Sequence, residues 1–163
     1  MNWFTGNLNN IIVKKETKNI FITITINLVV AALIFLFLIN FDLTEFIKFI
    51  SSLFLNFFIG ILGLYFIGYL IGQNLNKLKN KNNKYNVLHG VLAIFGVLFF
   101  GTLIGSTIGF LQEGLPDGYE YNFKEELYDY YFKPFFWIFM FGFVPTLVSG
   151  IILGYKLKTT YHI

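Results

Sequence analysis

Cysteine and arginine are both absent from this chain, and charged residues of either sign are scarce. Without cysteine there is no disulfide, no thiolate metal ligand and no cysteine nucleophile. The net charge of +3 comes from lysine alone, and lysine reads phosphate less specifically than the planar guanidinium of arginine does. No basic segment is interleaved with stacking aromatic residues, so nucleic-acid binding is not expected.

Residues that usually carry catalysis are also few. Histidine occurs only at His89 and His162. The sequence contains no P-loop, no HExxH, no GxSxG and no CxxC motif, and each of these would place reactive groups at a defined spacing. We therefore predict no enzymatic activity, no metal site and no cofactor.

Apolar residues, by contrast, are abundant. Hydrophobic residues make up 56% of the 163 positions and aromatic residues 21%, whereas 13% are charged. Soluble domains carry about 25% charged residues, and a soluble helix keeps one polar face. Here the apolar residues form long uninterrupted blocks, which indicates that lipid is the solvent.

Four of these blocks reach the length of about 20 residues that a helix needs to cross a bilayer. They cover residues 20–41, 49–72, 87–111 and 135–155. What remains is too short for a separate soluble domain. Residues 1–163 are therefore predicted to form one all-α integral membrane domain, a bundle of four transmembrane helices.

The lysines predict how the bundle is oriented. Nine of them flank the spans on one side together with a single acid, Glu16, whereas three lysines and eight acids lie on the other side. Lysine-rich flanks stay in the cytoplasm, so both termini are predicted to be cytoplasmic. The abundance of Lys, Asn, Ile and Phe suggests an AT-rich bacterial genome, and hence a bacterial inner membrane. The nine lysines on the predicted cytoplasmic side are Lys14, Lys15, Lys18, Lys77, Lys79, Lys81, Lys84, Lys156 and Lys158.

The two connections on the side with eight acids differ in length. A short turn follows the first span, and Asp42 with Glu45 has the spacing of a capping box that opens the second helix. The connection from Gln112 to Lys133 is longer, and Asn122 marks a helix start within it. Its mixture of charges and tyrosines predicts a short helix that lies in the membrane interface.

Glycines recur at helical spacing in three of the spans. Residues four apart share a helix face, and small residues there let a neighbouring backbone approach closely. One interpretation is internal packing of the bundle, and the other is a face for a second copy or another subunit. The packing candidates are Gly60, Gly68, Gly72, Gly101, Gly105, Gly109, Gly142, Gly150 and Gly154.

Uncharged polar residues form a second pattern. Ser52 and Asn56 lie one turn apart and follow Lys48, while Thr102 and Ser106 form a stripe in the third span. These residues predict either hydrogen bonds between helices or the wall of a polar pocket or pore. Pro145 lies in the middle of the fourth span, where it predicts either a static bend or a hinge.

Together these patterns favour a non-enzymatic membrane protein that acts through helix packing. Its partners would be the lipid bilayer and either further copies of itself or other membrane subunits. The alternative is an oligomeric ion channel lined by Ser, Thr and Asn side chains.

Overall fold

The computed structural model describes residues 15–82, 85–115 and 121–159, and for residues 79–82 it describes the backbone alone. Every regular element in these ranges is helical. The helices are α1 (Lys15–Leu38), α2 (Leu43–Ser52), α3 (Phe54–Asn82), α4 (Val87–Glu113), α5 (Phe123–Leu127) and α6 (Lys133–Thr159), with a π-helical turn at Tyr128–Phe132 between the last two.

Four helical stretches are long and apolar enough to cross a membrane, which confirms the predicted all-helical architecture with four helices fit to be membrane spans. They are Lys15–Leu38, Phe54–Leu78, Val87–Glu113 and Phe123–Thr159. Within the most apolar part of each of these four stretches, only 11% to 33% of the residues are buried inside the protein. Large apolar side chains such as Phe58, Leu62 and Phe66 are 52%, 53% and 59% exposed. The apolar surface thus faces outward, as it does in a helical membrane protein.

The four long helices run antiparallel in sequence order. Thr17 of α1 lies against Gly72 near the end of α3, and Gly90 near the start of α4 lies against Gly154 near the end of α6. One end of the bundle, here the lysine-rich end, therefore carries Lys15, Lys18, Lys77, Lys156 and Lys158. The other, the acidic end, carries α2, α5 and the C-terminus of α4. Residues 1–14 and 160–163, which include both termini, lie outside the described ranges.

Buried apolar side chains are confined to one half of the bundle. All nine in the described part of the chain lie in the half of their helix, or in the connection, nearest the lysine-rich end. On the other side of the midpoint, the buried residues of α4 are small or hydroxylic. The nine are Ile20, Ile24, Leu75, Tyr85, Ala93, Ile94, Val97, Leu153 and Leu157. Among the described residues, apolar side chains are therefore fully enclosed at the lysine-rich end and not at the acidic end.

The second predicted span is divided in two. Asp42 does cap a helix, because its carboxylate accepts hydrogen bonds from the N–H groups of Thr44 at 2.8 Å and Glu45 at 3.1 Å. That helix is α2, which ends at Ser52, and α3 begins at Phe54. The Ser52 hydroxyl donates to the Phe49 carbonyl at 2.9 Å, a local bond that competes with helix continuation. The predicted short turn is present at residues 39–42, but it leads into a separate helix and not directly into the second span.

The predicted helix of the longer connection begins where expected. Asn122 is its N-cap, with its side chain accepting from the N–H of Lys124 at 3.2 Å. The helix does not stand alone, however: α5 passes through the π-helical turn directly into α6. This turn carries Tyr130 and Tyr131, which both pack on Phe110 of α4. These contacts hold the extended helix against α4.

Candidate functional site

A glycine seam brings α4 and α6 into close backbone contact. A β-carbon added to Gly90 would lie 2.5 Å from the Cα of Gly154 and 2.6 Å from the carbonyl oxygen of Gly150. One added to Gly150 would lie 2.8 Å from the Cα of Val91. No side chain fits into such gaps, so the two backbones touch directly. The sequence pattern identified Gly150 and Gly154 but missed their partner, Gly90.

Glycines also mark where α3 meets its two neighbours. A β-carbon on Gly72 would lie 2.8 Å from the Cα of Thr17, and one on Gly68 would lie 2.6 Å from Cδ1 of Ile24. On the other side of α3, Leu64 packs over Gly101 of α4. These predicted packing glycines therefore serve contacts within the chain.

Gly60 and Gly105 differ from the other glycines in the same series. Within the described ranges, no heavy atom of a neighbouring element lies within 4 Å of the position that a β-carbon would occupy on either residue. Gly109 and Gly142 are intermediate, because added β-carbons would lie 3.3 Å from Tyr130 and 3.7 Å from Leu98. Of the nine predicted packing glycines, two are thus open.

The two open glycines lie at the same level on adjacent helices. Gly60 is four residues from Leu64 on α3, and Gly105 is four residues from Gly101 on α4, so each shares a face with a member of the Leu64–Gly101 contact. Because the helices are antiparallel, both steps lead one turn toward the acidic end. Each position has room for an added β-carbon, and we refer to these two open positions together as the Gly60–Gly105 cleft.

Three of the predicted polar residues lie near the cleft but not in one cluster. Ser106 is next to Gly105 and is 7% exposed, while Thr102 is 6% exposed and donates to the Leu98 carbonyl of its own helix at 2.8 Å. Asn56 is one turn beyond Gly60 toward the acidic end. At about 1.5 Å per residue, Asn56 and Thr102 are separated by about 10 Å along the bundle, too far for a direct hydrogen bond.

The side chain of Asn56 contains a buried, unsatisfied hydrogen-bond acceptor. Its side-chain oxygen is fully buried and accepts no hydrogen bond, which is unfavourable for a polar group in an apolar environment. Ser52, by contrast, is exposed on α2. The helix break at Leu53 separates Ser52 from Asn56, so the predicted stripe through Lys48, Ser52 and Asn56 does not run along one helix.

A polar cluster that the sequence pattern largely missed lies at mid-helix. The Asn27 amide of α1 donates to the Ser149 hydroxyl of α6 at 2.8 Å. Two residues earlier, Thr25 shares a hydrogen bond of 2.7 Å with the hydroxyl of Tyr65 on α3. The cluster ties α1 to both neighbours. Pro145, which α6 continues through, lies one turn from Ser149.

The lysine-rich end holds a buried acid. Glu16, in the first turn of α1, is 4% exposed, although it precedes the predicted span and sequence reasoning treated it as a flanking charge. His89 has a structural role, because its Nδ1 accepts the Asn86 N–H at 3.1 Å at the start of α4. Within the described ranges, no group of three or more His, Asp or Glu side chains is arranged to hold a metal ion.

No protein-family model matches this chain, and comparisons with curated proteins and with solved structures give no significant match. The interpretation of the cleft and the polar cluster therefore rests on their own geometry.

The seam and the cleft give a matched pair of substitutions. Gly154→Ala places a methyl group against the backbone of Val87, whose Cα would be 2.6 Å away, and we expect a loss of about 1–3 kcal/mol in the free energy of unfolding, as for overpacking. Gly60→Ala adds the same methyl group in open space and gains the same helix propensity. Reversible unfolding in mixed detergent micelles measures both. Equal stabilities for the two variants would show that the seam is not closely packed.

Proposed function

We propose that this protein is a non-enzymatic polytopic membrane protein that works through helix packing, as a homo-oligomer or as a subunit of a larger membrane complex. The observation that carries the proposal is the Gly60–Gly105 cleft, where two glycines at one level remain open while their neighbours in sequence are closely packed. A helix from another chain finds there the small residues that close helix contact in a membrane requires.

The distribution of the core supports this proposal. The acidic half of the bundle lacks large buried apolar side chains among the described residues, so fewer of its side chains are enclosed by protein than in the lysine-rich half. Protein interiors are normally filled to the density of an organic crystal, and each missing neighbour atom forfeits dispersion energy. Association at this half would supply those contacts.

We place the protein in a bacterial inner membrane with the lysine-rich end, and hence both termini, in the cytoplasm. Seven lysines in the described ranges lie at that end, whereas Asp42, Glu45, Glu125, Glu126 and Asp129 lie at the acidic end. Retention of lysine on the cytoplasmic side is the general rule for helical membrane proteins.

The orientation is testable because the chain has no cysteine. A membrane-impermeant maleimide applied to intact cells should label Glu125→Cys and leave Lys158→Cys unlabelled, since these exposed positions lie at opposite ends. Permeabilised cells, in which both should react, provide the control. Labelling of Lys158→Cys alone in intact cells would reverse the proposed orientation.

Association through the cleft is tested by Gly105→Leu. The added side chain fills open space within one chain, so the variant should remain folded, yet it blocks a neighbouring helix and should reduce the oligomeric fraction severalfold. Ala31→Leu makes a comparable change on an exposed face of α1 and should associate normally. Oligomeric state in lipid nanodiscs and thermal unfolding should be measured together. A folded Gly105→Leu protein that associates like the wild type contradicts the proposal.

The alternative function is an oligomeric ion channel, and one observation favours it. The buried oxygen of Asn56 accepts no hydrogen bond, and Ser106 lies beside the open cleft, so polar groups adjoin the space that further copies would enclose. Thr102 and Ser52 would line the same path, with Pro145 as its hinge.

Ion flux into protein-containing liposomes separates the two functions. The packing proposal predicts vesicles as tight as protein-free ones, because the four spans enclose no charged residue at mid-helix and Thr102 bonds within its own helix. Flux that Asn56→Leu or Thr102→Val alters would instead establish a channel.

A further inference from the structure

Helix α2 is strongly amphipathic, which the sequence pattern did not predict. At 100° per residue its apolar side chains occupy one arc, and its polar side chains occupy the opposite one. The apolar arc consists of Leu43, Phe46, Ile47, Phe49 and Ile50, and the polar arc of Thr44, Glu45, Lys48, Ser51 and Ser52.

The protein itself covers only part of the apolar arc. Phe46 and Phe49 pack on Phe35 of α1, with ring centroids 6.0 Å and 4.5 Å apart, and Phe49 also contacts Phe57 of α3 at 5.7 Å. The other side of the arc is open, since Leu43 is 63% exposed and Ile47 is 62% exposed. One apolar edge of α2 is thus anchored to the bundle, and the other is left exposed by the residues that the structure describes.

The level of α2 along the bundle follows from its neighbours. It joins the last residues of α1 to the first residues of α3, and each of these helices is long enough, at about 1.5 Å per residue, to cross about 30 Å of hydrocarbon. Helical backbone geometry is interrupted on both sides of α2, at Asn40 and Phe41, which have φ of 54° and 59°, and at Leu53, which has φ of -110°. Therefore α2 lies where the hydrocarbon ends.

The open edge of α2 continues the lipid-facing surface of the long helices. Phe37 and Phe41 before α2 are 68% and 61% exposed, and Phe54 directly after it is 62% exposed. An apolar edge that adjoins this surface, with a polar face opposite, is the pattern of a helix that lies in the membrane interface.

We infer that α2 lies in the plane of the membrane at the acidic end, with Leu43 and Ile47 in the acyl-chain region and Glu45 and Lys48 in the aqueous headgroup region. The partner of this surface is the lipid bilayer itself. The charges of Glu45 and Lys48 offset each other, so the contact depends on apolar burial and not on anionic lipid. This inference is independent of the proposed association through the cleft.

Two single-cysteine variants test the position of α2, with Ile47→Cys on the apolar arc and Glu45→Cys on the polar arc. Each full-length protein carries a nitroxide label and is reconstituted into liposomes of a zwitterionic phospholipid. Electron paramagnetic resonance then compares collisions with oxygen, which concentrates in hydrocarbon, and with a water-soluble nickel chelate. The label at Ile47 should favour oxygen severalfold, and the label at Glu45 should favour nickel severalfold.

Three other outcomes would overturn the inference. Equal nickel access at both labels would place α2 in water, and equal oxygen access at both would place it within the hydrocarbon. Exclusion of both reagents from the Ile47 label, with an immobilised spectrum, would show that protein covers this edge. Repeating the measurement in the Gly105→Leu background keeps the result separate from association, because the lipid contact should persist there.

Discussion

The direct backbone contact between α4 and α6 is the interaction on which this bundle depends. In a membrane, apolar side chains gain little by exchanging lipid for protein, so helices are held together by close packing and interhelical hydrogen bonds. Gly90, Gly150 and Gly154 remove the side chains that would keep the two helices apart. Leu153 and Leu157 on α6 and Ile94 on α4 can then be buried almost completely beside the seam.

The arrangement of α1 and α3 extends this closely packed region and also limits it. Thr17 against Gly72 closes the lysine-rich end, and the Asn27–Ser149 and Thr25–Tyr65 hydrogen bonds join three helices at mid-depth. Beyond the Leu64–Gly101 contact, Gly63 packs on Ile104 and Gly109 lies near Tyr130, whereas the positions at Gly60 and Gly105 are open. The buried apolar side chains of the lysine-rich half and the open Gly60–Gly105 cleft form the asymmetry that supports the proposed association at the acidic end.

The sequence predicted the features that depend on local composition. Block length and hydropathy indicated the four spans, and the spacing of Asp42 and Asn122 indicated helix starts that the structure contains. The break at Leu53 was missed, although Ser51 and Ser52 directly precede it and serine side chains can bond locally in place of helix continuation. Glycine spacing predicted which residues share a face, but not which neighbour covers them. Gly90 lies eleven residues before Gly101, a spacing that places both on one helix face. This spacing could have identified Gly90 as a packing residue. The Asn27–Ser149 pair joins residues 122 positions apart, which no local pattern reports.

The most direct test of the central claim is the mass of the protein released from its native membrane in mild detergent, measured by native mass spectrometry. A chain whose acidic half is completed by association should appear with at least one more membrane chain, either as a multiple of 18.9 kDa or together with a different subunit. A single species of 18.9 kDa that retains its bound lipid would contradict the account. In that case lipid alone would fill the Gly60–Gly105 cleft.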